Sequence, residues 1–356
     1  MKRAIRTLRR IILFFLLTIF MLLCIINTPW FFVSSKTSST DYSNWMSENL
    51  TFDQKIIDIA MLGAHDAFTH EIDVFSPVDN NSADGLMQGF IGRLIKGFSI
   101  RQSKTQVVGA TELLKSGVRY LDIRISYNSE KEEYYTVHNY FSSPLSEVLN
   151  EINLFLEENP GEFLILDIQH VYGVDYSDSE SFNDIYDYFY DSSILDYAYQ
   201  NNIMELKDIS YGDITENNTT SGVIIFSKFD TPNDYFWSYD NHIRSAWANE
   251  DEFLKIIEFL EAEQETIQTN IIYQEGLRVM QAVTTMEMSL PGILRSFEEW
   301  SLLGRARAFN QYLLDYDNLT LLLESMPIMM IDFASDREIV DPFMEIIIEF
   351  NIYMAE

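Results

Sequence analysis

From residue 45 onward, short apolar runs alternate with longer stretches in which apolar residues recur every three or four positions. The runs at 56–62, 120–125, 135–137, 163–168, 223–226, 277–283 and 328–331 read as strands. Several are apolar almost without a break, the composition of parallel strands covered on both faces. Between them, Leu145, Val148, Leu149, Ile152, Phe155 and Leu156 keep helical spacing, with Ser143 and Pro144 as a start signal and Asn159 and Pro160 as a stop. Phe253, Leu254, Ile256, Ile257 and Leu260 mark another helix. The acidic, tyrosine-rich stretch 175–199 has no firm period and reads as helix plus surface loop. Strands alternating with helices across 45–356 predict a closed barrel or a doubly wound sheet in one main domain. Seven strands are readable where such a barrel has eight, which predicts an irregular one. No internal repeat is visible.

The N-terminus has a different pattern. Lys2, Arg3, Arg6, Arg9 and Arg10 precede an apolar run from Ile11 to Ile26, and hydrophobic residues resume after Asn27, Thr28 and Pro29. Ile11 to Val33 is 23 residues, enough for a bilayer core that takes about 20 in a helix. Residues 1–35 are therefore predicted to be an uncleaved signal anchor. The polar break near Asn27 keeps a cleaved signal peptide as the alternative, although no small-x-small site precedes Lys36. Either way the remainder is carried out of the cytoplasm, to the outer face of the membrane or beyond. Cys24, the only cysteine, lies in this segment behind Leu23, where a lipoprotein signal wants a small residue. The exported part has no disulfides and depends on its core. Residues 36–44 are small and polar and read as a flexible stalk; the domain is expected over 45–356.

Charge narrows the function. Against 24 basic residues stand 55 acidic ones, for a formal net charge of −31, and five of those cations sit in the anchor. Such a surface repels polyanions, which excludes nucleic acid as a partner. Polar groups cluster where apolar strands stop: Gly63-Ala64-His65-Asp66, Leu121-Asp122-Ile123-Arg124, Val137-His138-Asn139, then Asp167, Gln169, His170 and Asp332. In a parallel barrel those ends form the reactive rim. Two imidazoles can divide the labour of base and acid, an arginine can neutralise phosphate oxygens, and carboxylates can orient the imidazoles. Cleavage of a phosphodiester by in-line attack needs those parts and no metal. A histidine at a strand edge is more often a hydrogen-bonded structural residue, the reading adopted for His70, His170 and His242. Asp122 and Arg124, on alternate strand positions, could be only an ion pair.

Asn44-Trp45-Met46-Ser47, Leu62-Gly63-Ala64-His65-Asp66-Ala67, Thr105-Gln106, Gly117-Val118-Arg119-Tyr120-Leu121-Asp122-Ile123-Arg124, Val137-His138 and Pro160-Gly161-Glu162-Phe163-Leu164-Ile165-Leu166 occur in that order. The set resembles the X-domain of phosphatidylinositol-specific phospholipases C, most of all the bacterial enzymes and the X-domain-only proteins. The likeness is dense from Trp45 to His170 and thinner beyond, at Ser221–Ser227, Trp247, Gln281 and Met330-Ile331-Asp332-Phe333. It implies an irregular (β/α)8 TIM-type barrel behind the N-terminal transmembrane or signal segment. It further implies His65 as general base oriented by Asp332, His138 as general acid working with Asp66, and Asp122 with Arg124 at the phosphate. The product implied is a cyclic inositol phosphate beside diacylglycerol. Calcium-dependent members carry acidic ligands where this chain has Arg124 and Gln169, and asparagine where it has Asp66. The resemblance is thus to the metal-independent branch, with no cofactor and no metal ligand. Gln169 departs from a lysine of the secreted bacterial enzymes, and Lys228 is the basic residue expected near the head group.

Leu86 to Phe98 is apolar and locally basic. It reads as a rim helix or lid, or as an interfacial helix whose Phe90, Ile91, Arg93, Leu94 and Lys96 meet the bilayer; bacterial members resemble it in having such a helix here. A phospholipid membrane holding an inositol lipid is the partner this implies, for a monomer. The rival readings are a glycerophosphodiester- or sphingomyelin-cleaving enzyme on the same barrel, which would carry a Glu-x-Asp metal pair where Asp122-Ile123-Arg124 stands, and a non-catalytic surface protein.

Overall fold

A computed structural model describes residues 2–27, 35–83, 85–286 and 302–355. Among them ten strands make one sheet: β1 (Met61–Ala64), β2 (Val118–Asn128), β3 (Glu133–His138), β4 (Tyr140–Pro144), β5 (Phe163–Tyr172), β6 (Gly222–Ser227), β7 (Phe236–Ser238), β8 (Ile243–Ala246), β9 (Leu277–Gln281) and β10 (Ile328–Ile331). Eight of them run parallel in the order β7-β6-β5-β2-β1-β10-β9-β8, while β3 and β4 extend from β2 as an antiparallel meander. The ends of the path, β7 and β8, are joined by the short helix Tyr239–His242 and not by a ladder. The result is the irregular (β/α)8 barrel expected. β1, β6, β9 and β10 are buried at every position, which is why their sequence runs are apolar without alternation.

The helix Leu145–Glu158 buries the same six residues whose spacing predicted it and ends at Asn159. Within 175–199 the helix is Ser179–Asp191, started by the Asp178 carboxylate accepting from the N–H groups of Glu180 and Ser181. The run at 56–62 is corrected: only Met61 and Leu62 belong to a strand. Ile56 to Ala60 form a turn, buried except at Asp58, in which two residues have backbone groups met by side chains. The Arg278 guanidinium donates to Ile57 O at 3.1 Å, and the Asn351 amide exchanges two 2.8 Å hydrogen bonds with Ala60. The short strands β4, β7 and β8 were not among the seven predicted.

At the opposite end from the polar cluster, Arg119 on β2 and Glu162, just before β5, form a fully buried pair at 2.7 Å. Arg119 also donates to the carbonyls of Tyr42, Ser43, Leu114 and Val118. Glu162 accepts from the N–H of Ser47, and Trp45 Nε1 donates to Gly117 O. Gly117 and Gly161 sit in the left-handed region at φ 94° and 92°, and a Cβ on Gly161 would stand 2.7 Å from that of Ser47. Three of the sequence motifs thus belong to one structural lock.

The helix Lys2–Asn27 carries an exposed apolar stretch, Ile5–Cys24, long enough to cross a membrane. The stretch 36–44, predicted as a stalk, lies against the domain: Lys36 O accepts from Arg337 N at 2.9 Å and Tyr42 N donates to Lys115 O at 2.8 Å.

Candidate active site

The end of β1 and the end of β10 are pinned together by their backbone and by one buried amide side chain. His65 N donates to Ile331 O at 3.0 Å. The buried Gln106 amide donates to His65 O at 3.0 Å and accepts from Ala334 N at 3.0 Å. This brings the His65 imidazole onto Asp332, with Nδ1 to Oδ1 at 2.8 Å. The next residue, Asp66, is held at φ 41°, a conformation unfavourable for a residue with a Cβ. Its N–H donates to the Asp122 carboxylate at 3.1 Å and its carbonyl accepts from the Thr105 hydroxyl at 2.9 Å.

The turn aims the Asp66 carboxylate at a guanidinium and two imidazoles. Arg124 Nε lies 2.5 Å from Oδ1; His138 Nδ1 and His65 Nε2 lie 3.0 and 3.6 Å from Oδ2. Both imidazoles therefore stand beside one carboxylate oxygen. Arg124 Nη2 reaches the Asp122 carboxylate at 3.0 Å and His65 Nε2 at 3.4 Å. Ser103 O, 2.9 Å from His138 Nδ1, accepts from that nitrogen and leaves Nε2 as the second ring position. The two histidines and Arg124 are partly exposed while Asp66 is fully buried; the imidazoles and the guanidinium form the surface of the site and the carboxylates its floor.

Charge and burial compete here. Burial disfavours the His65 imidazolium, but Asp66 and Asp332 outweigh it and raise its pKa to about 9. Burial would raise the Asp66 carboxyl, yet Arg124 and both histidines hold it well below the usual range. His138 is pushed down, first by burial and then by Arg124 and His65 against the pull of Asp66. Burial opposes the Arg124 charge, but Asp122 and Asp66 keep the guanidinium firmly protonated.

Gln169 and Lys228 are brought together by a residue that sequence reasoning missed. Gln169 donates to the Tyr239 hydroxyl at 3.1 Å and accepts from Lys228 Nζ at 2.5 Å. Lys228 stands 4.5 Å over the Tyr239 ring. Beneath them, Asp167 accepts from the Tyr120 hydroxyl at 2.5 Å; burial and the neighbouring Asp122 raise its pKa to about 8. His170 stacks on Tyr172, with burial, Lys228 and Arg124 lowering its pKa to about 4. His242 is bonded to Ser238 O within its own turn. Tyr239 sits in a four-residue helix too short to show a period, and Ser103 acts through its carbonyl, so neither left a signal.

His65, Asp66 and Asp122 offer ligand atoms within 4.8 Å of one another, a set that could hold a metal ion. Two of the three are already ion-paired with Arg124, and an imidazole with two carboxylates is a poor shell for calcium, which takes six to eight oxygens.

Around the mouth, the rim helices Phe90–Leu94 and Lys96–Ser103 leave Phe90, Ile91 and Leu94 exposed. Phe75, 86% exposed, lies in the neighbouring loop and was not predicted; its signal is Val74-Phe75 between an aspartate and Ser76-Pro77. Lys96 donates to Ser76 O at 2.8 Å, tying loop to helix.

No family model matches the chain. It is 36% identical over 141 residues to the variant-surface-glycoprotein phospholipase C of Trypanosoma brucei brucei, covering 36% of this chain and 39% of that protein. It is 32% identical over 148 residues to PI-PLC X domain-containing protein 3 of Danio rerio, covering 40% and 46%. The chain thus spans less than half the length of these curated relatives. Among solved structures, a mutant phosphatidylinositol-specific phospholipase C of Staphylococcus aureus aligns at TM-score 0.51 and 16% identity, over 86% of this chain and 99% of that one. The phosphatidylinositol-specific phospholipase C of Listeria monocytogenes aligns at TM-score 0.52 and 17% identity, over 87% and 98%. At such identity the likeness establishes the barrel. The curated relatives match the X-domain resemblance read from the sequence.

Proposed function

We propose that the chain is a phosphatidylinositol-type phospholipase C that cleaves its lipid to diacylglycerol and a cyclic inositol phosphate without a metal. The observation that carries this is the pair of imidazoles at one Asp66 oxygen, with the Arg124 guanidinium between carboxylates and His65. With Nδ1 committed to Asp332, His65 Nε2 takes the proton of the inositol 2-hydroxyl. That oxygen forms a bond to phosphorus, the bond to the diacylglycerol oxygen breaks, and His138 Nε2 delivers a proton to the departing oxygen. Attack from within the substrate needs no second molecule to be positioned. Arg124 supplies the fixed positive charge that the phosphoryl oxygens require. Lys228, Gln169 and Tyr239 form the polar wall for the head group, and Phe90, Ile91, Arg93, Leu94 and Lys96 meet the bilayer. The catalytic unit is 45–356, a monomer on the outer face of the membrane or secreted, with 1–35 as its signal anchor or signal peptide.

The test is incubation of the protein with phosphatidylinositol vesicles in excess chelator, followed by analysis of the phosphate product. Cyclic inositol phosphate at an undiminished rate is expected; loss of activity to the chelator would sink the metal-free reading. His65→Ala and His138→Ala should each lose about 10²–10⁴ of the rate, and a near-normal rate in either would remove it from the mechanism.

A further inference from the structure

The far end of the membrane-length helix is bonded to the rim of the proposed site. Asn27, the last residue of Lys2–Asn27, donates through Nδ2 to Leu94 O at 2.7 Å, and its Oδ1 accepts from Gly97 N at 2.8 Å. One side chain thus serves the last carbonyl of one rim helix and an N–H in the first turn of the next. The approach is close: a Cβ on Gly97 would lie 2.9 Å from Asn27 O. The same rim carries exposed Phe90 and Ile91, and Lys96 ties in the loop bearing Phe75. Five basic residues at the other end of the helix set that end on the cytoplasmic side. Its apolar stretch Ile5–Cys24, 20 residues, rises about 30 Å at 1.5 Å each, the thickness of a bilayer core, so Asn27, three residues past it, falls at the outer interface. The exposed rim aromatics then lie at the depth where such side chains partition.

We propose that the anchor helix clasps the rim through Asn27 and stands the barrel mouth-down on the outer leaflet, so that the enzyme draws inositol lipid from the membrane that holds it and not from a facing one. The proposal rests on the functional reading above and adds the source of the substrate. A tether that also fixes orientation keeps the mouth at a high effective concentration of lipid. The bond between anchor and rim adds that orientation to what a bare anchor supplies.

The experiment uses the full chain reconstituted into phosphatidylcholine vesicles containing a minor fraction of phosphatidylinositol, mixed with protein-free vesicles carrying isotopically distinct phosphatidylinositol. A water-soluble short-chain analogue reports catalysis independently. Lipid in the protein's own vesicles should be consumed at least about tenfold faster than lipid in the others. Asn27→Leu, which leaves the helix apolar, should erase most of that advantage while the soluble analogue is turned over within about twofold of normal. Equal consumption of both lipid pools, or an unchanged advantage in Asn27→Leu, would overturn the clasp; so would a mature chain found to lack residues 2–27. As a second readout, an environment-sensitive dye on Phe90→Cys in a Cys24→Ala background should be quenched by lipid-borne quencher, and less so with Gly97→Val added. A dye shielded from the quencher also overturns the proposal. No turnover of the soluble analogue by the unmodified chain would instead defeat the functional reading, leaving the dye to judge the clasp.

Discussion

The free site poises its two histidines opposite to the roles proposed for them, since His65 keeps its proton to about pH 9 while His138 sheds its own early. The competent state, with the single proton on His138, exists only while the pair holds one proton in total. On a soluble substrate, kcat/KM should therefore be level through neutrality and fall above about pH 9, as that proton leaves. Asp332→Asn removes one of the carboxylates that sustain the His65 charge, so the alkaline limb should move to lower pH; an unmoved limb would mean that His65 does not set it. Arg124→Lys keeps a charge but loses the fork that joins Asp66, Asp122 and phosphate, and should cost about a hundredfold or more in kcat. Asp167 offers a prediction about stability. Its folded carboxyl ionises near 8 and its unfolded one near 3.8, so the unfolded state releases the proton first and stability falls as pH rises between those values. Asp167→Asn should flatten that fall in Tm, measured by calorimetry across the interval.

At the scale of elements, the strands carry the site at one end and the Arg119–Glu162 lock at the other. Glu162→Ala would leave a buried guanidinium uncompensated, at a cost of about 3–5 kcal/mol, readable in urea denaturation; pairing it with Arg119→Met should recover much of the loss. The lock also explains why several motifs that stand beside those of the candidate site in the sequence lie far from it. Long strands and periodic helices were legible because their patterns run over many residues: β2, β5 and Leu145–Glu158 appear where expected. β7 and β8, with three and four residues, are too short to display a period. Ile56 to Ala60 misled because a buried turn served by Arg278 and Asn351 is as apolar as a strand. In the site, His65, Asp66, Asp122, Arg124, His138 and Asp332 were legible because each follows or ends an apolar run. Ser103 was not, since a backbone carbonyl has no residue signature, and Phe75 needed its exposure to be noticed.

For the whole molecule, acidity opposes an approach to the substrate proposed for it. On that reading a net charge of −31 meets an anionic lipid, with Arg93, Lys96, Arg101 and Lys104 near the rim contributing roughly 1 kcal/mol each at most in the other direction. Raising salt from 0.01 to 0.15 M shortens the screening length from about 30 to about 8 Å. Reconstituted protein should therefore work faster on phosphatidylinositol-rich vesicles as salt rises, and show little response when zwitterionic lipid dilutes the charge. A constant rate on both would argue that the acidic face points away from the leaflet. The clamp between Asn351 and Ala60 sets the order of assembly. Met61–Ala64 has β10 as one of its two neighbours, and the backbone just before it is completed only by the side chain of Asn351, 291 residues further along the chain. A ribosome must therefore add nearly three hundred residues after Ala60 before β1 has all its support, so the nascent domain stays loose through most of that synthesis.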